Sequence, residues 1–144
     1  MITKLFTAGA IAAIVGFTSV PALANDVHIQ QWGFWNQAGG AQAGFHNKVG
    51  VYQNGWLNKG VAKQFGNHNT AAIGQQGVNN YADTWQNGHG NAAGAGQFGA
   101  NHTAIMTQDG NGNIAAGVQV GNGCNAGVTQ GGSGNVAAFV QTCP

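Results

Sequence analysis

Charged side chains are nearly absent from this chain of 144 residues. Lysine and arginine together number four and aspartate and glutamate three, so that 5% of the residues are charged. A net charge near zero promotes association between copies, and it offers no electrostatic footprint for nucleic acid or for an anionic membrane surface. The three carboxylates, Asp26, Asp83 and Asp109, are scattered along the chain. Because an active site needs titratable groups that converge, we expect no enzyme.

Large apolar side chains and proline are also scarce. Gly, Ala, Asn and Gln dominate, so an ordinary mixed core cannot be assembled, and the composition by itself is compatible with disorder. Both prolines, Pro21 and Pro144, lie outside the repeats, so neither blocks strand pairing there. Any order in this chain must therefore come from repetition.

The N-terminal segment has the features of a secretory signal. Lys4 precedes the apolar run LFTAGAIAAIVGFTSV, and PALA ends in the small-x-small pattern of a signal-peptidase site. The run is short and rich in Ala and Gly for a membrane span, and an uncleaved anchor is the alternative. We predict a signal peptide over 1–24 that is cleaved after Ala24, a short segment over 25–30, a repeat domain over 31–144, and a secreted mature chain.

A period of eleven residues runs through the rest of the chain. Glutamine returns every eleven residues, glycine follows it by two residues in the first ten units, and asparagine follows it by five. His102 and Cys124 replace the asparagine in two units. With glutamine as position 1 and asparagine as position 6, the repeated residues are Gln31, Gln42, Gln53, Gln64, Gln75, Gln86, Gln97, Gln108, Gln119, Gln130 and Gln141, and Asn36, Asn47, Asn58, Asn69, Asn80, Asn91, Asn113 and Asn135.

Each unit is typical of a strand and a turn. A helical repeat is disfavoured because Gly and Asn are poor residues in a helix interior and no apolar seam is present. Positions 3 to 5 are predicted to form the turn, since Gly and Asn tolerate positive φ, and the chain is predicted to be extended from position 6. Positions 6, 8, 10 and 1 then share the inner face, and the charged residues of the repeats, Lys48, Lys59, Lys63, Asp83 and Asp109, all fall on the outer face.

Two units make one coil of 22 residues, and stacked coils give an all-β fold, a β-solenoid of the cross-β type. Residues one coil apart then lie above one another, so each side-chain amide donates to one neighbour and accepts from the other. We predict one glutamine ladder from Gln31 to Gln141 and a second from Gln42 to Gln130. A third, unbroken ladder is predicted for Asn47, Asn69, Asn91, Asn113 and Asn135.

This spacing resembles that of curlin, the subunit family of bacterial curli fibres. Gln31, Asn36 and Gln42 match the family's order of Gln, Asn five residues later and Gln six residues after that. The resemblance implies a subunit of an extracellular functional amyloid. It also implies export in an unfolded state through a dedicated outer-membrane channel, and polymerisation with itself and with other fibre subunits into biofilm matrix.

Two features depart from the family's pattern. Asn stands where family repeats usually carry Ser, and NDVHIQ before the first repeat glutamine is shorter than the Gly-rich export segment typical of the major subunit. The choice between major subunit and minor nucleator therefore stays open. A soluble secreted β-solenoid, either an adhesin or an ice-binding protein, is the remaining alternative, although the outer face lacks a regular Thr array.

The cysteines and three histidines are predicted to lie at turn edges. Cys124 at position 6 and Cys143 at position 3 belong to neighbouring coils, which predicts a disulfide in a secreted chain; two free thiols are the alternative. His46 and His68 are predicted to stack, with His89 close by. These imidazoles could share Cu²⁺ or Zn²⁺ or could be ordinary polar turn residues, and we assign no metal and no cofactor.

Overall fold

The computed structural model describes residues 24–144, which form eleven strands joined by short bends. The predicted signal peptide lies outside the described residues, except for Ala24. Within the described part, no helix is long and apolar enough to cross a membrane. The strands are β1 (Asp26–Phe34), β2 (Gln37–Ala43), β3 (Lys48–Trp56), β4 (Lys59–Asn67), β5 (Thr70–Val78), β6 (Tyr81–His89), β7 (Ala92–Ala100), β8 (Thr103–Asn111), β9 (Ile114–Asn122), β10 (Asn125–Ser133) and β11 (Val136–Cys143).

The chain alternates between two parallel sheets. Sheet A contains the six odd-numbered strands in the order β1-β3-β5-β7-β9-β11, and sheet B contains the five even-numbered strands in the order β2-β4-β6-β8-β10. Paired residues are one coil apart in both sheets, as in Gln53 with Gln75 and Gln64 with Gln86. The predicted all-β solenoid with coils of two strands is confirmed.

The first strand begins earlier than the sequence predicts. Asp26 is already paired with Lys48 in β3, and the Asn25 side-chain oxygen accepts a hydrogen bond from the Asn47 backbone at 3.0 Å. The predicted boundary between segment 25–30 and the repeat domain therefore falls inside β1. These residues hold positions 6 to 11 of a partial unit, and the edge of β3 orders them by supplying hydrogen-bond partners.

The reversal of the chain also differs from the predicted turn over positions 3 to 5. Except in β2, which ends at position 2, the strands that precede a bend continue through position 4, and the bend occupies positions 5 and 6. Two left-handed residues in each of the first ten units produce it: the glycine at position 3, with φ between 95° and 131°, and the residue at position 5, with φ between 54° and 74°. Backbone pairing continues through the bends, as in the bond from Asn101 N–H to Val78 O at 3.0 Å. The position 3 glycine is therefore part of the ladder.

Close approach of neighbouring coils explains why position 3 holds glycine. A Cβ atom on Gly77 would overlap the backbone carbonyl of Gly99 in the next coil, and the φ of +131° is one that side chains rarely adopt. The same overlap recurs along both sheets up to Gly121, whose neighbour is Cys143.

The core between the sheets is thin. Alanine at position 8 is buried from Ala71 to Ala115, and position 10 supplies the larger side chains Val51, Ile73 and Met106. Small side chains let the two sheets approach closely, so that the inward amides of one sheet reach the backbone of the other. The confirmed inner face comprises positions 6, 8, 10 and 1.

We expect Gly77→Ala to lower the free energy of unfolding by more than about 2 kcal/mol, because it adds both a steric overlap and an unfavourable φ. Gly74→Ala is the matched control, since a Cβ there meets nothing within 4 Å. Its effect should stay within about 0.5 kcal/mol. Guanidinium unfolding of the freshly refolded chain, followed by circular dichroism, measures both changes. Equal midpoints would contradict the close approach at position 3.

Candidate functional site

The inner face of each sheet carries a ladder of glutamine side chains. In sheet A, the Nε2 of each glutamine from Gln31 to Gln119 donates to the Oε1 of the glutamine one coil further along, at 2.6 to 2.9 Å. In sheet B the same bond joins the glutamines from Gln42 to Gln130 at 2.8 to 2.9 Å. The structure thus brings each predicted set together in register, and every bond has the same direction.

The Nε2 group of each glutamine from Gln42 onward also ties one sheet to the other. Gln75 donates to the backbone oxygen of Lys59 and Gln86 to that of Thr70, both at 3.0 Å. These side chains are fully buried. Leaving a buried amide without partners costs about 1 to 3 kcal/mol, so the ladder permits burial only where an equivalent amide stands in the next coil.

The asparagine side chains bind backbone groups rather than forming the predicted third ladder of amides. The Asn69 backbone N–H donates to Asn47 Oδ1 at 3.0 Å, and Asn69 Nδ2 donates to the Gly88 backbone oxygen at 2.9 Å. Along the predicted series, an amide-to-amide bond is present in the last step, from Asn135 to Asn113 at 3.0 Å. In the earlier steps of this series, the asparagine amide binds the backbone of the bend in the next coil.

The parallel series at the other bend contains both kinds of contact. Asn58 donates to Asn36 Oδ1 at 3.1 Å, and Asn80 donates to Asn58 Oδ1 at 3.0 Å. Asn58 and Asn80 also form hydrogen bonds with the backbone. For example, Asn58 Nδ2 donates to the Gly77 backbone oxygen at 2.9 Å. The asparagines therefore fasten successive bends, which contain the left-handed residues.

His102 replaces asparagine by reproducing its bond to the backbone N–H of the next coil and a second bond to the backbone oxygen four residues earlier, which Asn69 also makes to Phe65. Its Nδ1 accepts from the Cys124 backbone N–H at 3.1 Å, as an asparagine Oδ1 does, and its Nε2 lies 3.2 Å from the Phe98 backbone oxygen. This pattern requires the neutral tautomer that carries its proton on Nε2. His102 is fully buried.

A disulfide joins Cys124 to Cys143, with Cα atoms 5.6 Å apart and a sequence separation of 19 residues. The same separation of 19 residues lies between the position 6 asparagines up to Asn113 and the glycine of the next coil whose oxygen each one binds, as from Asn113 to Gly132. The covalent bond therefore stands in the place of the hydrogen bond that fastens the other bends. It ties β11, the last strand of sheet A, to the preceding coil.

The exposed histidines lie at one bend of the first coils. The rings of His46 and His68 are stacked, with centroids 5.0 Å apart, and His89 Nδ1 lies 3.3 Å from Asn67 Nδ2. Among residues 24–144, no group of three or more His, Cys, Asp or Glu side chains could hold a metal ion. The described residues therefore supply no set of ligands for the Cu²⁺ or Zn²⁺ considered for these histidines.

The outer faces of the two sheets differ. Sheet B carries Lys59, Lys63, Asp83 and Asp109, whereas the charged residues of sheet A, Asp26 and Lys48, lie in β1 and β3 at one end. The middle of sheet A is lined mainly by Gly and Ala, which together with Tyr52 and Val118 border a shallow groove of about 520 Å³. On sheet B, the Lys59 ammonium lies 5.5 Å from the Tyr81 ring centroid, and burial, followed by the neighbouring Asp83 carboxylate, raises the pKa of Tyr81.

The two ends of each glutamine ladder are chemically different. Within the described residues, no amide donates to Oε1 of Gln31 or Gln42, whereas Gln130 and Gln141 each use Nε2 for one backbone bond and have no further glutamine to donate to. One end of the solenoid thus presents amide acceptors and the other presents amide donors. The outer edges of the terminal strands are likewise unpaired within residues 24–144.

The sequence profile of the curlin associated repeat matches three segments, 24–55, 46–77 and 77–110. Together they span residues 24–110, which is more than half of the chain. The chain belongs to the curlin family. Its repeats are those of a curli-type fibre subunit, and no curated protein matches it significantly. The first curlin match begins at residue 24, ahead of the predicted start of the repeat domain, in agreement with the early start of β1.

Sequence reasoning missed some contacts of this curlin solenoid. The bonds from asparagine to glycine carbonyls depend on bend geometry, for which the sequence signal is the fixed spacing of Asn and the Gly 19 residues later. The contact made by Asn25 could also have been predicted from the spacing, because Asn25 lies six residues before Gln31, as Asn36 lies six residues before Gln42.

We expect Gln75→Ala to destabilise the fold by about 3 kcal/mol or more, because it removes bonds to Gln53, Gln97 and the Lys59 backbone. Gln76→Ala is the matched control, since Gln76 is adjacent and exposed. Its change should stay within about 0.5 kcal/mol. Guanidinium midpoints and the lag time of polymerisation report the difference, and equal effects at the two sites would refute the ladder's role.

Thiol titration tests the disulfide directly. The denatured, unreduced mature chain should show no reactive thiol, and reduction should lower stability by about 3 kcal/mol. A Cys124→Asn, Cys143→Gly double variant restores the residue types of the regular units, so it should be insensitive to reductant and more stable than the reduced parent chain. Two reactive thiols per unreduced chain would exclude the bridge.

Proposed function

We propose that this chain is secreted and polymerises end to end into extracellular amyloid fibres, as a structural subunit of a biofilm or adhesion matrix. The observation that carries the proposal is the complementarity of the two ends, with amide acceptors at Gln31 and Gln42 and amide donors at Gln130 and Gln141. A second copy satisfies both ends without any change in the fold.

The strand edges support the same conclusion. β1 and β2 at one end and β10 and β11 at the other have one paired neighbour each, and an unpaired strand edge is a template for another chain. Repeat proteins that stay monomeric cover such ends with polar caps. Near-neutral charge adds little repulsion between copies.

Family membership supports the remaining parts of the proposal. The predicted signal peptide with cleavage after Ala24 would deliver the chain out of the cytoplasm, and the curlin resemblance implies a dedicated outer-membrane channel and a companion fibre subunit as partners. Under this proposal the chain acts as a major subunit or as a minor nucleator of the same fibres. The work it performs is structural, through backbone and amide pairing.

Polymerisation of the refolded mature chain tests this function. Thioflavin fluorescence should rise after a lag that seeds shorten, and aligned fibres should diffract at about 4.8 Å along the axis. Gln75→Ala should lengthen the lag, and Gln76→Ala should leave it unchanged. A chain that remains monomeric in size-exclusion chromatography for days, with or without seeds, would contradict the proposal and favour a soluble solenoid adhesin.

A further inference from the structure

The solenoid has an odd number of strands among its described residues. Sheet A has six strands and sheet B has five, so sheet A begins with β1 and also ends last, with β11 beyond β10 of sheet B. Successive strands alternate between the sheets, and each therefore advances along the axis by about half of the roughly 4.8 Å spacing. The end formed by β10 and β11 is a step of one strand.

The starting end is a step of the same kind. β1 begins sheet A, and β2 begins sheet B half a spacing later. If a second copy were stacked without rotation, its β1 would cover β11. In sheet B, a gap as wide as one strand would then separate its β2 from β10 of the first copy. The facing edges of β2 and β10 would both stay unpaired at every junction.

A half-turn about the fibre axis removes this vacancy. β1 of the added copy then covers β10, and its β2 covers β11, each at one strand spacing. Gln31 of the added copy continues the ladder from Gln130, and its Gln42 continues the ladder from Gln141. Both donor ends therefore meet acceptor ends. Without rotation, Gln31 would follow Gln141, and the sheet B ladder would be interrupted at Gln130.

Position 3 of the terminal strands favours the same arrangement. β1 is paired through its position 3, where Gly33 lies beside Gly55, whereas the ladder of β2 ends at Ala43. On the opposite end, β10 offers Gly132, where a Cβ would meet only the Asn135 side chain at 3.9 Å. β11 carries Cys143, the one residue with a Cβ at a paired position 3. With the half-turn, β1, which pairs through position 3, meets β10 and its Gly132. β2, which pairs only as far as Ala43, meets β11 and its Cys143.

We propose that each added copy is turned by half a revolution relative to the preceding one, so that sheet A of one copy continues sheet B of the next. This inference rests on the proposed end-to-end polymerisation and specifies its register. It follows that the charged outer face of sheet B and the Gly- and Ala-lined face of sheet A alternate along each side of the fibre.

Cryo-electron microscopy of the fibres measures the register. Eleven strands per copy predict a rise of about 26 Å with a rotation of about 180° added to the twist of the solenoid. Unrotated stacking predicts a rise of about 29 Å, the length of six coils, with no added half-turn. A rise near 29 Å would overturn this inference and leave the proposed function intact, whereas the absence of fibres would overturn both.

Cross-linking supplies a second readout with a matched control. With the half-turn, Gln30 of the added copy lies beside Thr129, and without it Gln30 lies beside Val140; all three are exposed. Oxidised fibres of the Gln30→Cys, Thr129→Cys variant should give a series of covalent multimers, because adjacent strands lie within disulfide range. The Gln30→Cys, Val140→Cys variant should stay monomeric on the same gel. The reverse outcome would overturn the half-turn.

Discussion

A buried side-chain amide that only an equivalent amide can satisfy is the constraint on which this structure depends. Gln75 is completed by Gln53 on one side and Gln97 on the other, so neither neighbour can change without stranding a donor or an acceptor. A single inserted residue in any unit would turn the glutamine outward and leave its neighbours unpaired. The eleven-residue period, the small core residues and the close approach of the coils all follow from keeping these amides aligned.

The period and the facing of the side chains could be predicted from the sequence because both depend on alternation, which the charged residues of the outer face check independently. The place of Gly77 within a strand could not be predicted. Glycine signals an unusual φ, but it does not signal whether pairing continues through that residue. The start of β1 was obscured because no repeat glutamine precedes Asp26 to Gln30, although Asn25 already stands in the repeated position.

The bend contacts were the least predictable part of the site, because several side chains satisfy the same geometry. Asn80, His102 and Cys124 occupy successive coils at one bend, and they hold it by an amide, an imidazole and a disulfide respectively. Spacing alone placed the two cysteines near each other. That their bond replaces an amide-to-carbonyl hydrogen bond emerges only when the bends are compared. The last coil, which contains β11 and is paired on one side, is thus held by a disulfide where the other coils are held by a hydrogen bond.

The common direction of the glutamine bonds gives the solenoid an electrical polarity. Backbone hydrogen bonds between parallel strands point both ways along the axis and largely cancel, but the side-chain amide dipoles of both ladders point the same way. Their sum resembles the macrodipole of a helix, with partial positive charge where donors are exposed and partial negative charge where acceptors are exposed. A fibre built from such copies would therefore have two tips that differ in their attraction for ions.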